Sequence, residues 1–211
     1  MVTSGSVSTL IILLEIVAYA VYARGVVRGE VVLSRASWLI WAPLLWLTVL
    51  SSWQGGAGMV MVKTLTTAVG VTVIAVLALR FGTGGWSRSD RVCFVVTLVG
   101  IAGWAISADP VVGLALFILA DGVGAIPTIR DVLRDPGRER PAYWLICTLT
   151  CALSVGLISA HAWSWSGHAF VEWAYPLYVT LVNLSVLAAM ASRAGTARSA
   201  PAAATVGLEA S

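Results

Sequence analysis

The chain has 211 residues, 59% hydrophobic and only 11% charged, with a formal net charge of +3 and a mean hydropathy of +0.90. Soluble domains carry roughly 25% charged residues, so this composition excludes an ordinary soluble enzyme and points to an integral membrane bundle. The basic balance does not indicate a nucleic-acid partner, because the arginines alternate with apolar runs in a pattern that a topology rule explains.

Residues 1–6 are polar and uncharged. They lack the positive n-region of a signal peptide, so the first apolar run reads as a retained helix. Seven spans are predicted, at 7–24, 37–53, 58–79, 92–108, 111–130, 142–161 and 170–191. Most approach the roughly 20 residues that cross the hydrocarbon core. Arg24, Arg28 and Arg35 follow the first span, and Arg80, Arg88 and Arg91 follow the third. Arg130, Arg134, Arg138 and Arg140 follow the fifth, and Arg193 and Arg198 follow the seventh. With the N-terminus out and the C-terminus in, every arginine falls on the inner side, as the positive-inside rule requires. Twelve arginines against one lysine point to a GC-rich bacterial genome, hence a bacterial inner membrane. The lysine, Lys63, sits towards the outer side, where its head would snorkel to the headgroups. Trp163, Trp165 and Trp173 suit the outer aromatic belt.

An internal repeat appears at an offset of 106 residues. Glu15 falls on Asp121, Arg24 on Arg130, Arg28 on Arg134, and Trp38-Leu39-Ile40 on Trp144-Leu145-Ile146. Ten of the 29 positions from 12 to 40 are identical. The offset carries span one onto span five, an even step, so the two copies run parallel. The expected fold is all-α and membrane-embedded. An outer N-terminus (1–6) leads into a three-helix unit (7–79). A linker helix (92–108), a second three-helix unit (111–191) and a disordered inner tail (194–211) follow.

Ionisable groups deep in a span are costly and by default face the bundle interior. Glu15 and Asp121 are nine residues from Arg24 and Arg130, about 13–14 Å deep at the helical rise, and Asn183 is about 15 Å from Arg193. Glu172, beside Trp173, Tyr175 and Tyr178, lies at the outer boundary. These acids can work as proton donors or relays, or they can lock helices together by hydrogen bonds. Trp41, Trp46 and Trp104, with Tyr19, Tyr175 and Tyr178, are candidate liners of a cavity. Pro43, Pro127 and Pro176 remove amide hydrogens within spans and are candidate hinges, Pro127 most of all, beside Gly122 and Gly124.

In topology over most of its length the chain resembles the PQ-loop superfamily, which includes the SWEET sugar transporters. Pro127-Thr128 stands where that family carries its Pro-Gln pair, and Val21-Tyr22 occupies the place in the first copy. Asn183 matches the family's sugar-facing asparagine. This resemblance implies transport of a small polar molecule or proton through a midplane site. In size, helix count, aromatic richness and intramembrane acids the chain is also similar to the small seven-helix membrane terpene cyclases. That resemblance implies protonation and cyclisation of a lipid-soluble isoprenoid by Glu15, Asp121 or Glu172. The cyclase is the first expectation, because the carboxylates are present while the glutamines of the transporter motif are not.

No cofactor or metal is expected. The chain has no phosphate-binding glycine loop ending in Lys-Ser/Thr, and His161 and His168 are too few for a zinc site. Cys93, Cys147 and Cys151 fall in apolar runs without a disulfide framework and read as packing residues. The expected partners are the bilayer and a small-molecule substrate. A homo-oligomer is compatible with a chain that already holds both halves, but not demanded by it.

Overall fold

The computed structural model describes residues 4–54, 58–84, 87–106, 110–162 and 167–198. Among them it is all-α, with seven helices and no strand. These are α1 (Ser4–Val27), α2 (Arg35–Gln54), α3 (Gly58–Phe81), α4 (Arg88–Ile106), α5 (Pro110–Arg134), α6 (Pro141–Ala162) and α7 (Gly167–Arg198). A 3-10 turn at Pro136–Arg138 precedes α6, capped by the Asp135 side chain, which accepts from the Gly137 amide.

Three helices are long and apolar enough to cross a membrane: Gly5–Val27, Lys63–Phe81 and Ala174–Ser192. Shorter apolar stretches occupy Arg35–Leu50 and Pro141–Gly156. The helices overrun the predicted spans at their arginine-rich ends. α5 continues to Arg134, and α7 to Arg198, into the stretch expected to be a tail. Arginine and alanine are good helix formers, and cations suit a helix C-terminus. Residues 199–211 lie outside the described residues.

Local chemistry sets the helix ends. α1 stops at Gly29, whose φ of 71° is left-handed. Gly29 N donates to Val26 O and Glu30 N to Gly25 O, the paired bonds of a Schellman cap. α4 starts on a capping box: the Asp90 amide donates to Ser87 Oγ, and the Ser87 amide to Asp90 Oδ2. Asp90 also pairs with Arg130 of α5 at 3.0 Å, which ties α4 to the bundle.

The helices pack in a reciprocal pattern. α1 lies against α3 and α6, and α5 lies against α7 and α2. α2 packs on α3, and α6 packs on α7. α4 lies against α5 and α2. Exchanging α1, α2 and α3 for α5, α6 and α7 maps the first six contacts onto one another. Individual residues obey the same exchange. Tyr22 stacks on Tyr143 at 4.3 Å, and the residues 106 positions removed, Thr128 and Ser37, are joined by a bond from the Thr128 amide to Ser37 Oγ. Val32 N donates to Arg138 O at 2.7 Å, joining two residues that are themselves 106 apart. A pair related to itself by the exchange sits where the two triplets of helices meet, which we call the seam.

One core cluster runs through both triplets and includes Tyr22, Val26, Leu33, Trp38, Ile40, Leu44, Ile74, Val132 and Val186, all buried. Large apolar side chains also cover the outer surface. Leu10, Leu13 and Val17 on α1, and Val92, Val95 and Val99 on α4, are exposed. The polar groups are drawn inward: Glu15, Asp90, Asp121, Glu139 and Asn183 are all buried. An apolar exterior over a polar interior is the arrangement that a lipid solvent favours.

Candidate functional site

Asp121 is the centre of a constellation drawn from three helices. It lies midway along α5 and is 7% exposed. The Tyr178 hydroxyl of α7 donates to Asp121 Oδ2 at 3.0 Å, and Trp41 Nε1 of α2 donates to the Asp121 carbonyl at 3.1 Å. Phe117 and Tyr175 meet edge to face at 5.2 Å, and Tyr175 lies 6.2 Å from Tyr178. The glycines around Asp121 permit this approach. A Cβ on Gly122 would lie 3.1 Å from the Tyr178 oxygen. One on Gly124 would lie 2.7 Å from Ile40 and 3.0 Å from Trp41 Nε1. Asp121, Trp41, Tyr175 and Tyr178 are therefore brought together from α2, α5 and α7.

Pro127 is buried one turn further on and has no amide to offer the Val123 carbonyl. The next amide, Thr128 N, reaches across to Ser37 of α2 at 3.1 Å. Pro43 and Pro176 likewise sit inside α2 and α7. Asn183 is buried on α7, and its Nδ2 has no hydrogen-bond partner among the described residues.

Glu15 occupies the repeat-equivalent place on α1 but is held differently. Thr67 Oγ1 of α3 donates to Glu15 Oε2 at 2.8 Å, and Lys63 Nζ stands 3.7 Å from Oε1. Lys63 was expected at the outer headgroups. Its long stem instead brings the ammonium to a buried carboxylate, which otherwise would lack a counter-charge. The Glu15 carboxylate is thus held between α1 and α3 by one hydrogen bond and one ion pair. Tyr19 lies between the two regions, within electrostatic range of both Glu15 and Tyr175, and packs on Gly70.

Truncating Lys63 to methionine should destabilise the bundle by about 1–3 kcal/mol, below the fully buried case because a quarter of the Lys63 side chain stays exposed. Adding Glu15→Gln to Lys63→Met should restore most of the loss. Thermal unfolding in detergent of both singles and the double reads this. Additive losses in the double would show that the pair is not coupled.

Other expected residues fall elsewhere. Trp46 is 44% exposed and donates to Thr72 Oγ1 at 2.9 Å, bracing α2 on α3 at the surface. Depth along a helix does not give the direction a side chain takes around it. The side chains of Glu172 and Trp104 lie outside the described residues, as do those of His161, His168, Trp163, Trp165 and Trp173. The three cysteines are free and buried. No cluster that could hold a metal ion occurs among the described residues. A surface groove of about 410 Å³ runs past Ile126, Ile129, Arg130, Leu133 and Arg134 on α5, away from Asp121.

One cluster has no counterpart among the residues that the sequence singles out. Glu139, just before α6, is 5% exposed. The Tyr22 hydroxyl of α1 lies 2.8 Å from both carboxylate oxygens, and Trp144 Nε1 donates to Oε2 at 3.1 Å. Burial pushes the Glu139 carboxyl up to about 7, against the pull of the Tyr22 and Trp144 hydrogen bonds and of Arg138. Flanked by Arg138 and Arg140, Glu139 looks in sequence like a solvated loop charge. The only hint was that Trp144 recurs at the repeat offset.

Comparison with protein-family models, with curated proteins and with solved structures found no match.

Proposed function

We propose that the chain is a seven-span protein of a bacterial inner membrane, N-terminus out, and that it moves a small polar molecule or proton through the seam between two parallel three-helix units joined by α4. The observation that carries this reading is the reciprocal packing at an offset of 106 residues, with a buried acid on each of α1 and α5. Two equivalent units meeting at a seam provide an axis about which each end can open in turn. Asp121 would be the principal binding group, Tyr178 and Trp41 its hydrogen-bond partners, Asn183 a further buried polar group on α7, and Pro127 the flexible point of α5. The ion pair at Glu15 moves preference away from cyclisation, because it leaves one fewer acid free to give up a proton.

The test is reconstitution into liposomes, with uptake measured for a panel of labelled sugars and amino acids and proton flux read by an entrapped pH dye. Concentration-dependent, saturable flux of at least one of these above empty vesicles is expected. Flux no greater than in empty vesicles across the panel would remove the proposal.

A second reading rests on a separate observation: Tyr178, whose hydroxyl donates to Asp121, continues through Tyr175 to Phe117 as a run of neighbouring rings. An acid among aromatic rings suits proton-initiated cyclisation of an isoprenoid, since the rings stabilise the migrating cation. The same purified protein, offered a prenylated epoxide, would then yield an isomeric cyclic product, detected by its chromatographic retention at unchanged mass.

A further inference from the structure

The Tyr22–Glu139–Trp144 cluster has no task in the reading above, and its chemistry is not explained by packing. A buried carboxylate costs several kcal/mol of desolvation unless its partners compensate. The repeat supplies an internal control. At the offset of 106 residues, Glu139 corresponds to Leu33, Trp144 to Trp38 and Tyr22 to Thr128. Leu33 is fully buried, so the scaffold accepts an apolar residue at that place. Trp38 Nε1 and Thr128 Oγ1, the counterparts of the two groups that bind Glu139, make no hydrogen bond of normal geometry among the described residues, although Trp38 lies near the Tyr22 hydroxyl. One frame is therefore built twice, and only one copy holds a carboxylate.

The cluster also lies across the seam. Tyr22 comes from α1, and Glu139 and Trp144 from the start of α6. Beside them Val32 N donates to Arg138 O, Arg138 Nη2 donates to Thr83 Oγ1, and Arg140 pairs with Glu30 at 3.7 Å. The rings of Tyr19, Tyr22, Trp38, Tyr143 and Trp144 fill the space above, with Tyr22 and Tyr143 at 4.3 Å. Parting the two units at the arginine-rich end requires the Tyr22–Glu139 contact to break.

We propose that the Tyr22–Glu139–Trp144 cluster is a proton-binding site that seals the arginine-rich end of the seam, shut when Glu139 holds a proton and released when Glu139 gives it up. This rests on the two-unit reading above but on no particular substrate. The groups that face Glu139 are Tyr22 from α1, Trp144 from α6 and Arg138 from its own loop, with Cys147 of α6 next to Tyr22. Among the side chains that the structure describes, no charged group of α5 acts on it. A carboxyl raised above its ordinary value favours the sealed state fully below about 4.5, and loses that contribution as pH rises through about 7. The window falls where a cytoplasm-to-exterior proton gradient operates.

The test needs no substrate, so its outcome is separate from that of the transport assay. Wild type, Glu139→Gln and Glu139→Leu are placed in lipid nanodiscs, the last copying the residue at Leu33 as a guard against loss of fold. Infrared difference spectra of the wild type should show a protonated-carboxyl band that titrates near neutral pH and is missing from both variants. Hydrogen exchange over 24–34 and 136–145, corrected for intrinsic rates, should lose protection by about tenfold or more between about pH 5.5 and about pH 8.5 in the wild type. Both variants should be flat. The same band, or the same pH dependence of exchange, in all three chains would overturn the proposal.

Discussion

On the proposed transport function, Asp121→Asn should reduce flux through the reconstituted protein by on the order of 100-fold, about 2.7 kcal/mol of lost stabilisation of the transported species. The change is nearly isosteric. Asparagine keeps an oxygen that can accept the Tyr178 hydroxyl at 3.0 Å, and it leaves the backbone carbonyl that takes the Trp41 indole untouched. What it removes is the capacity to carry a charge or exchange a proton in the middle of the bundle. Melting in detergent should therefore move little while flux collapses. Tyr178→Phe keeps the acid and deletes only its donor, and should cost about tenfold, as one lost hydrogen bond does. Glu15→Gln should show the opposite split, a stability change with flux retained, because Glu15 is engaged by Lys63 and Thr67. Wild-type flux in Asp121→Asn would remove Asp121 from the path. If instead a cyclic product forms from the prenylated epoxide and disappears in Asp121→Asn, the same residue is a general acid, and the second reading stands.

The contrast between Asp121 and Glu15 shows how far sequence reaches. Long apolar runs announce helices, and among the described residues all seven helices lie where those runs stand. The offset of 106 residues was legible in the Trp-Leu-Ile run and the two arginines. Asp121 was legible because an acid inside an apolar run is costly and so conspicuous. Its surroundings were legible only by residue type. Nothing in the spacing says that Trp41 turns inward to the Asp121 carbonyl while Trp46 turns outward to Thr72. The pairing of Lys63 with Glu15 was not legible, because a depth count ignores the reach of four methylenes. Glu139 was invisible for a deeper reason. Its burial is produced by Tyr22, more than a hundred residues away, and loop carboxylates are ordinarily solvated. The arginines, read first as topological markers alone, prove to be structural too.

Arg35→Ala should destabilise the bundle by about 2–4 kcal/mol, the largest stability loss expected of any single exposed or half-buried side chain here. Arg35 opens α2 and forks onto the end of α3. Its Nε donates to Ala78 O at 3.1 Å, Nη2 to Gly82 O at 2.6 Å and Nη1 to Gly84 O at 3.3 Å. The last carbonyls of a helix have no intrahelical donors and carry the negative end of its dipole, so a planar cation is the apt cap. Arg35→Lys keeps the charge, yet one ammonium cannot span three carbonyls, and it should recover less than half of the loss. The consequence extends beyond α3. Thr83 N donates to Leu33 O, and Thr83 Oγ1 receives Arg138, the residue next to Glu139. Releasing the α3 terminus frees Thr83, and with it one support of the seal. Arg35→Ala should therefore raise exchange over 136–145 as well as lower the melting temperature, and the rise should shrink in a Glu139→Leu background, where the seal no longer depends on a proton. A melting temperature within a degree or two of wild type, about 0.5 kcal/mol, would show the fork to be a surface contact without mechanical weight. Unchanged exchange over 136–145 alongside a clear stability loss would separate the α2–α3 clamp from the seal.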